Sequence, residues 1–183
     1  MKIAFVGKAG SGKTTLANYL VQKYDFTRLS FAKKVKQFGV AILLRGMKKN
    51  NPAFRKFLQM LGEGARVVDP NIWIRWLDME LTEYDEAGVS VVIDDCRYKN
   101  EADFLRADGF VLVKVKGRLA RLPDELTKHV SEVELDEIEC DCDFDNSQDL
   151  HIAAKQLDLL IGRLTNSHTD KNLYMALRLA AER

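Results

Sequence analysis

Four consecutive apolar residues, Ile3-Ala4-Phe5-Val6, open the chain after Met1-Lys2. Unbroken apolarity predicts a strand covered on both faces, because a half-exposed strand would alternate. Past a glycine-rich turn the period changes to that of a helix over about 12–23, with Leu16, Tyr19 and Leu20 on one face. Residues 26–29 form a short second strand, and Ser30 can cap a helix that carries Val35, Phe38, Val40, Ala41 and Leu44. A polar loop follows from Gly46. Asn51-Pro52 and Asp69-Pro70 each pair a capping side chain with a proline suited to the first helical position, so helices are expected to start near Pro52 and Pro70. Residues 62–67 lie between these helices or close the first, and Glu86-Ala87-Gly88 stops the second. Residues 89–94 are a second strong strand, 100–107 a helix ended by Asp108-Gly109, and 110–115 another strand. Residues 117–132 are polar and charged and lack a core pattern. A short last strand is expected within 143–146, then helices over about 150–164 and 171–181.

Strands alternating with helices predict an α/β fold, a parallel five-stranded sheet flanked by helices. In such sheets ligands bind beyond the C-terminal ends of the strands. The 183 residues suffice for one domain with a substantial core. With 28 Lys and Arg against 27 Asp and Glu, the surface charge gives no case for nucleic-acid or membrane partners. No apolar run approaches the roughly 20 residues of a membrane span, and no signal peptide is visible. Three cysteines, Cys96, Cys140 and Cys142, show no framework spacing and read as reduced thiols of a cytoplasmic protein. Zinc on Cys140 and Cys142 with His129 or His151 is the weaker alternative, the spacing being short for a zinc knuckle.

The turn after the first strand reads Gly7-Lys8-Ala9-Gly10-Ser11-Gly12-Lys13-Thr14, the pattern Gly-x-x-x-x-Gly-Lys-Thr, placed between a strand and a helix. That context is what makes it a phosphate-binding loop (P-loop): backbone N–H groups form an anion nest, and the glycines let phosphate approach the backbone. A nucleoside triphosphate is the expected donor. Lys13 would reach its β- and γ-phosphates, the Thr14 hydroxyl would bind Mg²⁺, and Ser11 and Thr15 would add hydrogen bonds. Val91-Val92-Ile93-Asp94-Asp95 supplies an apolar strand ending in carboxylates, one of which is expected at the metal; spacing leaves Asp94 and Asp95 both open. Arg97 is either a phosphate ligand or a partner of Glu101 at i+4.

From here several stretches resemble the phage-type deoxynucleoside monophosphate kinases. These are Asp95-Cys96-Arg97-Tyr98-Lys99-Asn100-Glu101, Ser30-Phe31-Ala32-x-x-Val35-Lys36, and Arg55-x-x-Leu58-Gln59-x-x-Gly62 followed by Arg66 and Asp69-Pro70-x-x-Trp73. His129-x-Ser131-Glu132 and Asp143-x-x-Asn146 resemble the family's tail motifs. The likeness covers about residues 1–163. It implies a nucleoside monophosphate kinase-like P-loop NTPase, one domain over 1–183 with a helical acceptor-binding region at about 31–85 and a lid at about 117–132. The implied reaction moves the γ-phosphoryl group of ATP to a (deoxy)nucleoside monophosphate, in the host cytoplasm if the chain is phage-encoded.

Lys13 and Thr14 carry over as ATP and Mg²⁺ residues, and Phe31, Lys33, Gln59, Arg66, Trp73, Arg97 and His129 as the acceptor side. Lys33-Lys34 stands where the family often has Asp-Pro, and the chain looks shorter than a typical member. Arg118 and Arg121 are either lid arginines that close on the phosphates or part of a solvated basic loop. Trp73 either stacks on a base or packs in the core. A kinase of another small phosphorylated metabolite, or a nucleotide-dependent switch with slow hydrolysis, are the alternative functions. No Asn-Lys-x-Asp guanine-reading tetrapeptide occurs. The accepted base and the oligomeric state, a homodimer included, stay open.

Overall fold

A computed structural model of the chain describes residues 1–43, 51–117, 135 and 137–168. In chain order the elements are β1 (Lys2–Val6), α1 (Lys13–Tyr24), β2 (Thr27–Leu29), α2 (Ala32–Leu43), α3 (Pro52–Val68), α4 (Ile72–Glu86), β3 (Val91–Cys96), α5 (Lys99–Ala107), β4 (Val111–Gly117), β5 (Cys142–Asn146) and α6 (Leu150–His168). The strands form one sheet in the order β2-β3-β1-β4-β5, and every pairing is parallel. The α/β fold with five parallel strands is therefore as the residue pattern predicted. The expected lid and the helix over 171–181 lie outside the described residues.

The period-two alternation of strands sorts the core into two halves. Ile3, Phe5, Val92, Val113 and Phe144 face one side, where Leu16, Ala17 and Leu20 of α1 and Ala153, Leu157 and Ile161 of α6 cover them. Ala4, Val6, Val91, Ile93 and Leu112 face the other, against Val35 of α2, Trp73, Leu77 and Leu81 of α4, and Ala102 and Leu105 of α5. Both faces of β1 are thus buried, which is why its sequence is apolar without a break. The α1–α6 side is also tied by Asp158, whose carboxylate accepts from Tyr19 Oη (2.9 Å), Tyr24 Oη (2.7 Å) and Lys23 Nζ (2.7 Å).

α3 runs through Gly62 and Gly64 to Val68, so residues 62–67 close the first of the two helices, one of the two expected alternatives. One boundary differs from expectation. β3 spans 91–96 rather than 89–94, since its pairing with β1 begins at Lys2↔Val91 and, after a register shift, ends at Val6↔Cys96. Asp94 and Asp95 therefore stand inside the strand, at its C-terminal end and beside the end of β1.

Candidate active site

The P-loop links β1 to α1 and needs backbone that only glycine adopts easily. Gly12 ends it at φ 91°, and a Cβ there would collide with Asn146 Nδ2. No side chain caps the α1 N-terminus and no acidic residue occupies its first turn, so its N–H groups are suited to an anion. The neighbouring strand ends brace the loop from behind. Asn146, the last residue of β5, donates from Nδ2 to Ser11 O (2.8 Å), and Gly117, the last of β4, lies so close that a Cβ would strike the same carbonyl. Neither Asn146 nor Gly117 was singled out for the phosphate site from sequence. The contact is set by the strand order, which no local pattern encodes.

Lys13 is buried, and its Nζ donates to Gly7 O (2.5 Å), Lys8 O (2.8 Å) and Ser11 Oγ (3.3 Å). The amine thus spans the mouth of its own loop. Ala9 and Gly10 lie on the loop's outer turn, and Thr14 and Thr15 are exposed at the first turn of α1.

Parity separates the two aspartates. Asp94 shares the face of Val92 and meets α1: Thr14 Oγ1 donates to its Oδ2 (2.5 Å). Asp95 shares the face of Ile93 and meets α2, accepting from Ser30 Oγ (2.7 Å) and from the N–H groups of Phe31 (3.1 Å) and Ala32 (3.0 Å). Asp95 is a helix cap, with its acceptors occupied by the start of α2. Asp94 is the carboxylate placed against the Thr14 hydroxyl. A hydroxyl and a carboxylate oxygen are hard donors of the kind Mg²⁺ takes, beside phosphate oxygens and water. Its other oxygen accepts from Arg28 Nε (2.9 Å), while Arg28 Nη1 donates to Asn18 Oδ1 (3.0 Å). With only 4 % of Asp94 exposed, this charge partner offsets the cost of burying a carboxylate. Arg28 was missed because a lone arginine in a three-residue edge strand carries no motif.

A second cluster lies on the same C-terminal edge of the sheet, where β3 turns into α5. Arg66 Nη2 of α3 pairs with Glu101 Oε1 (2.8 Å), and the Arg66 guanidinium lies 4.1 Å from the centroid of the Tyr98 ring. Glu101 Oε2 accepts from the N–H groups of Arg97 (3.0 Å) and Tyr98 (3.3 Å). Burial pushes the Glu101 carboxyl up to about 7, against the opposing pull of Arg66 and the Arg97 N–H. The i+4 relation of Arg97 and Glu101 is thus seen through the Arg97 backbone.

Of the other acceptor-side candidates, Trp73 shares the Gly62 carbonyl with Arg66. Phe31 and Trp73 are core residues, 3 % exposed each, and Trp73 Nε1 donates to Gly62 O (3.0 Å). The indole packs α4 against α3, with Phe38 tilted beside it at 6.3 Å, in keeping with the core alternative for Trp73. Lys33 pairs with Glu80 of α4, and Gln59 is exposed on α3. Arg118, Arg121 and His129 lie outside the described residues. Trp73→Phe should destabilise the fold by about 0.5–1.5 kcal/mol, the net contribution of one intramolecular hydrogen bond, since Gly62 O keeps Arg66 as a donor. Urea unfolding measures this, and nucleotide affinity at saturating folded protein should stay within about twofold, a few tenths of a kcal/mol.

Burial pushes the Cys140 and Cys142 thiols up to about 11 and the Cys96 thiol well above its ordinary value. Among the described residues, no group of three or more His, Cys, Asp and Glu side chains converges on one point, and no helix is long and apolar enough to cross a membrane.

Known proteins align with this arrangement at two levels. By fold, the chain resembles dephospho-CoA kinase from Campylobacter jejuni, with a TM-score of 0.58 at 12 % identity over 92 % of this chain and 100 % of that one. It likewise resembles a gluconokinase from Sinorhizobium meliloti 1021, with a TM-score of 0.53 at 15 % identity over 96 % of each chain. By sequence, it is 28 % identical over 140 residues to the uncharacterized protein ORF77 of Ictalurid herpesvirus 1 (strain Auburn), matching 74 % of this chain and spanning 59 % of that protein's length. It is 32 % identical over 164 residues to a protein of Acanthamoeba polyphaga mimivirus whose assignment as a deoxynucleotide monophosphate kinase is itself provisional; that match takes in 73 % of this chain and 81 % of the relative. The family model for deoxynucleotide monophosphate kinase matches residues 40–157, more than half of the chain and wholly downstream of the P-loop. The chain belongs to the deoxynucleotide monophosphate kinase family.

Proposed function

We propose that the protein transfers the γ-phosphoryl group of ATP to a deoxynucleoside monophosphate, forming the diphosphate and ADP. The observation that carries this most directly is the joining of Thr14 to Asp94 behind a P-loop, with the Arg66 and Arg97 region on the same sheet edge. A donor half alone would fit any P-loop protein. Arginines beside it, on the segment covered by the family match, support a second phosphate-bearing substrate.

Phosphoryl transfer asks for alignment and positive charge rather than covalent chemistry. The loop N–H groups and the α1 N-terminus would hold the β- and γ-phosphates. Lys13 would exchange the Gly7 and Lys8 carbonyls for phosphate oxygens and stabilise the charge that spreads over the γ-phosphoryl group. Thr14 and Asp94 would hold Mg²⁺, which would supply charge neutralisation to the donor phosphates. Arg28 would keep Asp94 oriented. Arg66 and Arg97 would hold the acceptor phosphate in line with the group it receives. The acceptor phosphate oxygen is already anionic, so no strong general base is required of the chain.

A coupled assay with Mg·ATP across the ribo- and deoxyribonucleoside monophosphates tests the substrate class. Diphosphate formation from at least one deoxynucleoside monophosphate is expected. A panel in which only non-nucleotide phosphates accept would overturn the assignment of the acceptor.

A further inference from the structure

Glu101 is 2 % exposed and stands three residues into α5, where its ordinary use is to cap the helix it belongs to. Capping needs one carboxylate oxygen, and Oε2 does this alone by accepting from the Arg97 and Tyr98 N–H groups. Oε1 is spent on a different element: it takes Arg66 Nη2 from α3, more than thirty residues away in sequence. The carbon of the guanidinium so held sits 4.1 Å from the centroid of the Tyr98 ring. An arginine has five N–H donors in a rigid fork. The described contacts occupy one on Glu101 and a second, at 3.5 Å, on Gly62 O, which leaves donors for an anion. A buried ion pair is a weak source of stability, since desolvation cancels most of its attraction. Its more distinctive effect is to fix a cationic group in one place.

We propose that Glu101 is a positioning residue for the acceptor: one buried carboxylate holds the Arg66 guanidinium on Tyr98 and also fixes the turn that carries Arg97, so that both arginines address a single phosphate monoester. This rests on the nucleoside monophosphate kinase reading above. Without Glu101, Arg66 regains its rotamer freedom and the N-terminal turn of α5 loses its anchor to α3. Acceptor binding then has to restore that order at the expense of affinity.

The test uses Glu101→Gln, which keeps an oxygen for the two backbone donors and removes the charge that holds Arg66. Steady-state kinetics are run at a pH of about 8, above the Glu101 value of about 7, so that the wild-type group is ionised. The KM for the acceptor monophosphate should rise about tenfold, the scale of coupling between contacting charged groups, with the KM for ATP within about twofold. In an Arg66→Gln background the same substitution should add less than about twofold, because its effect runs through Arg66. Equal losses for both substrates, or full additivity with Arg66→Gln, would overturn the proposal. If Glu101→Gln does not fold, Arg66→Lys carries the test: it keeps the charge and loses the planar fork, so a rise in acceptor KM supports the proposal and an unchanged KM refutes it. Wild-type protein that phosphorylates no nucleoside monophosphate removes the functional reading and this inference together. Wild-type turnover with an unmoved acceptor KM in Glu101→Gln removes this inference alone.

Discussion

Lys13→Met lowers γ-phosphoryl transfer by about 100-fold or more, the cost of deleting one preorganised charge at a developing anion, while the protein stays folded. The side chain is buried, yet its described contacts are with the loop's own Gly7 and Lys8 carbonyls and Ser11, not with the core clusters. Methionine keeps the length of the stem and gives up only the ammonium group. Single-turnover transfer measures the rate, and thermal unfolding without nucleotide checks the fold. A variant with near wild-type transfer would place the phosphate elsewhere than in the loop. Loss of transfer with a collapsed melting temperature would mean that the lysine is needed to close the loop on itself.

The second large effect separates neighbouring residues. Asp94→Asn should abolish the Mg²⁺ dependence of nucleotide binding and lower transfer by about 100-fold or more, the scale for losing a fixed electrostatic partner of the reacting group. Asp95→Ala should instead cost about 0.5–2 kcal/mol of stability through the lost α2 cap, with residual activity tracking the folded fraction. Titrating Mg²⁺ against a fluorescent ADP analogue reads the first, and urea unfolding reads the second. The asymmetry follows from the opposite facing of the two side chains: Asp94 faces α1 and Thr14, Asp95 faces α2 and Ser30. The opposite pattern, with Asp95 controlling the metal dependence, would require β3 to present its other face to α1.

That pair also shows where the sequence stopped being legible. The P-loop could be read because its glycine spacing, a preceding strand and a following helix are all local. Asp94 and Asp95 point to opposite faces, but β3 has a register shift here and Cys96 joins the side of Ile93, so alternation alone does not set their facing, and which face α1 covers depends on the order of strands in the sheet. The same limit applies to Asn146 and Gly117, whose contacts with Ser11 O exist because β4 and β5 lie beside β1. Arg28 offered no pattern at all. Trp73 shows the reverse case, since resemblance placed it among the acceptor residues while its apolar helix positions suited the core, where it packs. The family match begins at residue 40, so it and the P-loop are independent observations.

Transfer itself is read by following the label of γ-labelled ATP in the presence of Mg²⁺ and each deoxynucleoside monophosphate in turn. The expected result is label recovered in a deoxynucleoside diphosphate, with ADP formed in equal amount and little inorganic phosphate released when acceptor is omitted. Label recovered only as inorganic phosphate, at the same rate with or without acceptor, would show a hydrolase or switch in place of a kinase.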